Sequence, residues 1–346
     1  INNLTIDNLR IDTNRDGIDI DVCKNVRITN VVVNSPNDDA IVLKSSYVMG
    51  EAIATENVTI SNSIVSGYAM GTMLDGTYQP MTGSAPDEDG PTGRIKLGTE
   101  SNGSFKRITI NNVVFDHSRG LALETVDGGI IEDVVATGLV MNEVSNAPIF
   151  IYNGARMRGP ENTPVGAIRR VLISDVTVSH SDGRFPVIIQ GLPESPVSQV
   201  TLKNMYLNMG GGLSQQDVLT QTPDLVSTFF ALEEDAPRVS AFDVPARREA
   251  YPEPSMFGLL PASGVYMRYA HDITLENINM KLEAPDSRSV LVFDSVGDIE
   301  LRNLTLPGNE KADQITVISS DNIEVSSSSG KQQNLSAREA EGFSGF

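Results

Sequence analysis

The chain has 346 residues, of which 40% are hydrophobic, so it is long enough to bury a large core. Its 45 acidic residues outnumber 26 Lys and Arg, and the net charge of -19 argues against nucleic acid or anionic membrane as a partner, because both need positive charge. No apolar run reaches ~18 residues, so no transmembrane helix is expected. The single cysteine, Cys23, excludes an intramolecular disulfide and a cysteine-based zinc site.

The two ends of the sequence differ in character. Residues 1–10 read as the middle of a strand, and they contain neither the charged nor the apolar region of a signal peptide. We therefore expect that N-terminal coils of the natural precursor are missing from this sequence. Residues 327–346 are rich in Ser, Gln and Glu, which predicts a flexible C-terminal tail.

A nine-residue phrase recurs along the chain, in which β-branched or leucine residues alternate with polar ones. This period of two is typical of a β-strand. Near the middle of most copies lies an Asn, Asp or Ser, which tolerates left-handed backbone and turns a corner between two strands. The copies occupy residues 3–11, 25–33, 57–65, 107–115, 131–139, 170–178, 199–207, 272–280 and 298–306, with a weaker copy at 322–325.

A second apolar strand, often opened by Gly, Pro or Ala, lies between the copies. Most copies start roughly 22 to 32 residues apart, which suits one coil of a solenoid. One coil cannot bury its apolar positions alone, whereas stacked coils form a continuous ladder ~4.8 Å apart. The sequence therefore predicts an all-β fold, a right-handed parallel β-helix, as a single domain over residues 1–326. The repeated corner residues are expected to form a hydrogen-bonded ladder from coil to coil.

Two long gaps interrupt the period, near residues 68–93 and 210–265. The second gap contains a predicted helix near 215–232 and the loop 251–258. Long insertions on a solenoid often emerge on one face and shape a binding cleft. The alternative is that both insertions are decorative surface loops.

Acidic residues open two consecutive coils. Asp16 lies in Asn-Arg-Asp-Gly, and Asp38 and Asp39 lie in Asn-Asp-Asp-Ala, each directly before the same strand of its coil. Stacking is expected to bring the three carboxylates together, where like charges raise the pKa of one of them. Glycoside hydrolysis requires a protonated carboxyl beside ionised ones, because one acid protonates the leaving oxygen while a base activates water. The alternative is that these residues only form turns or bind a cation.

The run N-x-D-G-I-D at 14–19, followed by D-D-x-I-x-L-K-S at 38–45, resembles the polygalacturonase family of glycoside hydrolases. That family consists of inverting parallel β-helix enzymes that act on pectin. The resemblance implies that Asp38 is the general acid and that Asp16 and Asp39 activate water. We expect a secreted or periplasmic protein whose partner is a poly- or oligosaccharide, with no metal and no cofactor.

The chain departs from the family's pattern at three places. Arg15 stands where the family usually has Thr, no His lies in a Gly-His-Gly context, and the family's Arg-Ile-Lys would fall on residues 122–124, Ala-Leu-Glu. Arg94 and Lys96, one coil earlier, are alternate residues of one strand, so they point the same way and can replace the missing cations in binding substrate. Tyr152 is similar in position to a Tyr of the family and is predicted to bind substrate.

Three further substrate-binding candidates lie near these residues. Glu100 and Glu124 are predicted to bind sugar hydroxyls, with solvated or paired strand charges as the alternative. Lys44 either supports the Asp38 and Asp39 pair or forms a neighbouring ion pair. Given these departures, a rhamnogalacturonan-type or otherwise decorated substrate, cut from an end, fits the sequence at least as well as plain polygalacturonan does.

Two other functions stay open at this point. The missing His and Arg-Ile-Lys motif fit a β-helix protein that binds carbohydrate, or serves a structural role, without turnover. A polysaccharide lyase is a weaker alternative, since such enzymes need calcium and an Arg or Lys base, whereas the Asp motifs favour hydrolysis.

Overall fold

The computed structural model of the protein describes residues 1–81, 87–227, 229, 238–308, 313–326 and, for their backbone, 332–335. Most of these residues form short strands. Many strands are buried on one face, where apolar residues alternate with polar ones, whereas others, such as Leu121–Thr125 and Ile149–Asn153, are buried along their whole length. In chain order the strands are β1 (Asn2–Asp7), β2 (Arg10–Asp12), β3 (Ile18–Asp21), β4 (Lys24–Thr29), β5 (Val32–Asn34), β6 (Ile41–Ser45), β7 (Thr55–Ser66), β8 (Ile95–Ser101), β9 (Phe105–Asp116), β10 (Leu121–Thr125), β11 (Ile130–Asn142), β12 (Ile149–Asn153), β13 (Ala167–Val178), β14 (Val187–Gln190), β15 (Val197–Gly211), β16 (Ala262–Arg268), β17 (Ala270–Ala284), β18 (Ser289–Asp294), β19 (Gly297–Thr305), β20 (Ile315–Ile318), β21 (Ile323–Ser326) and β22 (Gln332–Leu335).

The strands alternate between two long sheets, which confirms the predicted parallel β-helix. Among the described residues, sheet A has thirteen strands and runs from β1 through β4, β7, β9 and onward to β22, while sheet B has nine strands and runs from β3 to β20. All pairs are parallel except β21 with β22, which is antiparallel. Each coil contributes one strand to sheet B, so equivalent residues of successive coils lie side by side.

The corners of sheet A depend on left-handed backbone at two positions of each phrase, five residues apart. Asn57 and Asn62 have φ of 57° and 53°, and Asn25 and Asn30 have φ of 58° and 55°. Asn tolerates this region better than other residues with side chains, which explains its recurrence. In one coil the second corner is Gly138, with φ of 65°, since glycine adopts this conformation without strain.

Both corner positions form hydrogen-bonded ladders between coils. In the predicted mid-phrase ladder, Asn303 donates to Asn277 at 3.0 Å and Asn277 donates to Asn204 at 3.1 Å. The second ladder follows the first residue of the phrase, where Asn57 donates to Asn25 at 2.9 Å and Asn25 to Asn3 at 3.2 Å. The mid-phrase ladder confirms the prediction from sequence, whereas the ladder at the first position was not predicted.

One phrase was placed wrongly along the sequence. The copy at 131–139 begins two residues early, because Val134 pairs with Ile108 and the residue equivalent to Arg107 is therefore Asp133. Asp133 has the left-handed φ of 59° that the first position requires. A shift of two residues keeps every side chain on the same face of a strand, so alternation alone cannot detect it.

The interior of the solenoid is one continuous apolar cluster that extends from Ile18 to Val325. It consists largely of Ile, Val and Leu side chains from the inward positions of both sheets, as stacked parallel strands require. The one cysteine, Cys23, is buried in this cluster. Among the described residues, no helix is both long enough and apolar enough to cross a membrane.

The two insertions carry the helices. Among the described residues, helix α1 (Thr72–Asp75) lies in the first insertion, and helix α2 (Gln215–Thr220) and two 3-10 helices (Pro223–Leu225 and Pro254–Phe257) lie in the second. The helix predicted near 215–232 is therefore wrong over residues 221–227, because Pro223 interrupts the helical hydrogen bonds. Residues 228 and 230–232 of that prediction lie outside the described residues.

The second insertion packs against the outer face of sheet B and forms a separate apolar cluster there. Phe257 and Met256 of the insertion contact this face, where Tyr152 and Phe150 of β12 point outward. The rings of Tyr152 and Phe257 lie 5.9 Å apart, edge to face. This packing fixes the segment that precedes Phe257 against the outer face of sheet B.

The predicted tail lies mostly outside the described residues. Within it, Gln332–Leu335 forms β22 and pairs with β21. Residues 327–331 and 336–346 are not described.

Inward and outward positions of one strand should differ sharply in their contribution to stability. In β7, Ile60 is fully buried and Ile64 is 42% exposed. We expect Ile60→Ala to lower the free energy of unfolding by ~2–5 kcal/mol, because it leaves a cavity in the core. Ile64→Ala should cost less than about 1 kcal/mol, since much of that side chain is already in water. Urea unfolding measures both, and equal losses would contradict the assigned strand orientation.

Candidate functional site

The structure brings Asp16, Asp38 and Asp39 together at the start of sheet B. Ile18 of β3 pairs with Ile41 of β6, so the residues just before these strands are neighbours in adjacent coils. Carboxylate oxygens from the three residues lie within 4.8 Å of one another. Asp39 is buried, whereas Asp16 and Asp38 are partly exposed, so the cluster opens to solvent on the Asp16 and Asp38 side.

The two partly exposed carboxyls differ in their tendency to ionise. Burial, the nearby charge of Asp39 and that of Asp16 raise the pKa of Asp38 to about 6. Burial also acts on Asp16, but hydrogen bonds with Asp38 and Lys44 outweigh it and lower the pKa of Asp16. A proton held by the pair therefore lies on Asp38, and Asp16 is the ionised partner.

In the part of the chain that the structure describes, four cations surround the carboxylate cluster. Arg15 contacts Asp38 at 2.8 Å, and Lys44 lies 3.0 Å from Asp16 and 2.6 Å from Asp19. Lys44 thus forms ion pairs with Asp16 and Asp19, which lie next to the Asp38 and Asp39 pair, and this is the second of its two predicted roles. The other two cations, Arg94 and Lys96, are buried and contact Asp39 at 2.7 and 3.5 Å.

Arg94 and Lys96 point the same way, as alternate residues of one strand should. Arg94 directly precedes β8, and the preceding Gly93 allows the chain to pass close to Ser66, where an added Cβ would lie 2.2 Å from the backbone oxygen. Lys96 lies between Asp39 and Glu124, 3.5 Å from each. Both predicted substrate-binding cations are therefore engaged by carboxylates of the protein itself.

The other predicted substrate-binding residues lie at different depths. Glu124 is fully buried and its oxygens accept no hydrogen bond among the described residues, and burial raises the pKa of Glu124 to about 7 despite Lys96 and Arg94. Glu100 lies 3.7 Å from Arg156 and is partly exposed. Tyr152 is fully buried and donates its hydroxyl to the backbone oxygen of Arg247 at 2.9 Å. Substrate binding by these three side chains stays a prediction.

The second insertion places Glu253 beside the carboxylate cluster. Its two oxygens accept from Arg94 at 2.9 and 2.5 Å, in a bidentate pair, and one of them also accepts from Arg119 at 3.1 Å. These two guanidinium groups outweigh the effect of burial and lower the pKa of Glu253 to about 2. Tyr251 of the same segment lies over Lys96, whose ammonium is 5.1 Å from the ring centroid.

The first insertion adds Asp87 on the other side of Arg119. Arg119 donates to the two oxygens of Asp87 at 3.0 and 2.6 Å, and Ser255 donates to the same carboxylate at 2.8 Å. The result is a buried chain of alternating charges from Asp39 through Arg94, Glu253 and Arg119 to Asp87. Buried charges persist when they are paired and hydrogen-bonded, as all five are here.

Sequence reasoning missed Asp87, Arg119, Tyr251 and Glu253 as site residues. Three of them lie in insertions without the periodic pattern that places strand residues. Arg119 lies in the connection just before β10. Its backbone N–H donates to the backbone oxygen of Thr92 at 2.7 Å, so Arg119 lies next to Thr92 of the adjacent coil. The sequence contained only a weak signal for these residues. Buried charged residues need partners of opposite charge, and the acidic segment near Asp87 contained carboxylates to which no role had been assigned.

A cavity of about 220 Å³ adjoins the carboxylate cluster, and both insertions line it. Its lining includes Asp38 and Arg15 from the coils, together with Glu253, Tyr251 and Asp87 from the insertions. Pockets for drug-sized ligands usually measure ~300–1,000 Å³, so this cavity has room for one sugar ring rather than several.

The three clustered carboxylates also form a possible donor set for a divalent cation, which prefers oxygen ligands. Each of the three already contacts at least one Arg or Lys, so cations of the protein itself balance the negative charge of the cluster. We therefore assign no metal to the cluster.

Comparison with known proteins adds no family. A scan of the chain against protein-family models finds no match, and a search of curated proteins finds no significant one. The structure itself shows a parallel β-helix, so function must be argued from the site.

Loss of Arg119 should destabilise the protein far more than loss of an exposed arginine. Arg119→Met leaves Glu253 and Asp87 without one of their buried partners, and we expect ~3–5 kcal/mol less free energy of unfolding. Arg302→Met removes an exposed pair with Glu300 and should cost less than about 1 kcal/mol. Urea unfolding measures both variants. A loss at Arg119 no greater than at Arg302 would show that the buried charge chain is not formed.

Proposed function

We propose that this protein is a glycoside hydrolase of the polygalacturonase type that acts on a pectin-type poly- or oligosaccharide in a secreted or periplasmic location. The observation that carries the proposal is the carboxylate cluster, with Asp38 more basic than its neighbour Asp16. Two carboxyl groups whose environments separate their pKa values are the usual arrangement for acid and base roles at one site.

Asp38 is the general acid in this proposal. Its raised pKa keeps a proton available in mildly acidic solution, and its side chain lines the cavity, where a glycosidic oxygen can reach it. Asp16, whose pKa is lowered, and Asp39, held by Arg94 and Lys96, are the bases that activate water. Lys44 fixes the orientation of Asp16 through its 3.0 Å contact.

The cavity favours attack at a chain end. Both insertions line it, and its volume of about 220 Å³ suits one sugar ring. A long polysaccharide needs an open groove on both sides of the cleaved bond, whereas a partly closed cavity with room for one ring receives a terminal residue. We therefore propose exo cleavage.

Inversion of the anomeric centre is what the motif resemblance implies. The nearest carboxylate oxygens lie within 4.8 Å, which is shorter than the ~6.5–9.5 Å between the carboxyl groups of most inverting enzymes. The configuration of the first product released, followed by proton NMR, decides between inversion and retention.

Removing the proposed acid should abolish turnover without unfolding the protein. We expect Asp38→Asn to lower kcat/KM by ~10²–10⁴-fold, because an amide cannot donate a proton to the leaving oxygen. Asp272→Asn, at an exposed corner of sheet A where Asn fits equally well, is the matched control and should retain full activity. A reducing-sugar assay on homogalacturonan and rhamnogalacturonan oligosaccharides measures the rates. Equal activity of wild type and Asp38→Asn would end this assignment, and tight glycan binding without turnover in wild type would favour a binding protein.

The pH dependence should follow from Asp38. A general acid must be protonated in the free enzyme, so kcat/KM should decline as the pH rises through the pKa of about 6. Asp16 must be ionised to activate water, so kcat/KM should also decline at low pH. Because the pKa of Asp16 is lowered, this acidic decline should occur below the usual pKa of an aspartate, ~4. Arg15 opposes the rise in the pKa of Asp38, so Arg15→Gln should move the alkaline limb to higher pH. Rates that keep rising above pH 7, or a limb that moves down in Arg15→Gln, would contradict Asp38 as the acid.

A further inference from the structure

We propose that Glu253 makes the cavity selective for an uncharged sugar ring, because its carboxylate takes the place beside Arg94 and Arg119 that the carboxylate of a uronic acid would need. The inference rests on the proposed function and narrows it: the sugar that enters the cavity is a neutral residue of the glycan, and Glu253 is the residue that sets this specificity.

The first step is the geometry of the contact. A guanidinium binds a carboxylate best through two parallel N–H···O bonds. Glu253 makes this bidentate contact with Arg94, at 2.9 and 2.5 Å, and shares one oxygen with Arg119 at 3.1 Å. Two guanidinium groups that line a sugar-sized cavity would otherwise form a site for a sugar carboxylate.

The second step is the charge of the cavity wall. Its charged lining residues, among the described part of the chain, are three cations and three carboxyls: Arg15, Arg94, Arg119, Asp38, Asp87 and Glu253. Every cation of this wall already has a carboxylate partner, since Arg15 pairs with Asp38 and Arg119 pairs with Asp87 as well as Glu253. A uronate would therefore bring one uncompensated negative charge next to three carboxyl groups, which is unfavourable in a partly closed site.

The third step is the rigidity of the segment that carries Glu253. The 3-10 helix Pro254–Phe257 follows it directly, and Met256 and Phe257 are fully buried in the apolar cluster on sheet B. Ser255 donates to Asp87 at 2.8 Å. The backbone that follows Glu253 is therefore held in place, and an acidic sugar cannot move the segment away from Arg94 and Arg119 without breaking this packing.

The fourth step concerns what a neutral ring can gain. Carboxylate oxygens and guanidinium N–H groups at the cavity wall present acceptors and donors together, which matches the hydroxyl groups of a sugar, each both donor and acceptor. A neutral ring can therefore form hydrogen bonds at this wall without removing any existing ion pair. The ring of Tyr251 adds an apolar face to the same cavity.

The test compares binding of matched free monosaccharides, which contain no glycosidic bond and need no inactive variant. Galactose is compared with galacturonate, and glucose with glucuronate. Within each pair, the neutral sugar has a hydroxymethyl group where the uronate has a carboxylate. Ligand-observed NMR or calorimetry at pH 7 measures the dissociation constants for wild type. We expect the better-bound neutral sugar to bind at least about tenfold more tightly than its uronate partner. Equal or tighter uronate binding, or no binding by any of the four sugars, overturns the inference.

The variant Glu253→Gln tests the responsible residue. The amide keeps the shape of the side chain but removes its charge, which leaves Arg94 and Arg119 with an unmatched positive charge. We expect uronate affinity to rise at least about tenfold, with neutral-sugar affinity changed less than about threefold. Glu249→Gln removes an exposed charge four residues earlier in the same insertion and should leave both affinities unchanged. An unaltered ratio in Glu253→Gln overturns the inference.

Failure here and failure of the proposed function give different results. If wild type hydrolyses pectin-type oligosaccharides but prefers a terminal uronate, the selectivity inference fails and the hydrolase remains. If no glycan is hydrolysed yet the neutral sugars bind selectively, the hydrolase proposal fails and the specificity of the cavity remains. Should Glu253→Gln fail to fold by circular dichroism, the wild-type comparison of the four sugars still decides.

Discussion

The register between parallel strands is the constraint on which the rest of this structure depends. Because each coil of the solenoid adds one strand to sheet B, a residue in one coil lies ~4.8 Å from its equivalent in the next. Ile18 pairs with Ile41, and Ile41 pairs in turn with Ile95 of the next coil. This register places Asp16 beside Asp39, and it places Asp39 beside the start of the strand that follows Arg94. The same regularity that stacks apolar side chains in the core therefore stacks charges on the outside.

Stacked charges must alternate in sign where water is excluded. Asp39, Lys96 and Glu124 belong to three successive coils, although at different positions along their strands, and Lys96 lies 3.5 Å from both carboxylates. Burial of a lone carboxylate costs several kcal/mol, so a column of three acids without intervening cations would not remain ionised. Glu124, the deepest of these, has the raised pKa expected of the carboxyl with the weakest compensation. Asp16 and Asp38 are partly exposed and escape this constraint, and their closeness helps to raise the pKa of Asp38 while it lowers the pKa of Asp16.

Sequence periodicity was sufficient for the parallel β-helix and for the proximity of the three aspartates, because both follow from strand spacing alone. It was insufficient for the position of the phrase at 131–139, since a shift of two residues preserves the alternation that was used to place it. It also gave no position for Glu253, which is 159 residues from Arg94 along the chain. Contacts made by insertions depend on packing, here that of Phe257 and Met256 on the aromatic face of β12, and no repeat encodes that packing.

Arg94 is the residue where the solenoid and the insertions meet. Its Nε donates to Asp39 at 2.7 Å, while its two terminal nitrogens donate to Glu253. The guanidinium is planar and rigid, so the position of Glu253 fixes the direction from which Asp39 is held. An insertion that differs in sequence would therefore change both the wall of the cavity and the orientation of a proposed catalytic carboxylate, without any change in the coils. Through this connection, an insertion that lies more than a hundred residues away in sequence determines both the wall of the cavity and the contacts of a carboxylate on the coils.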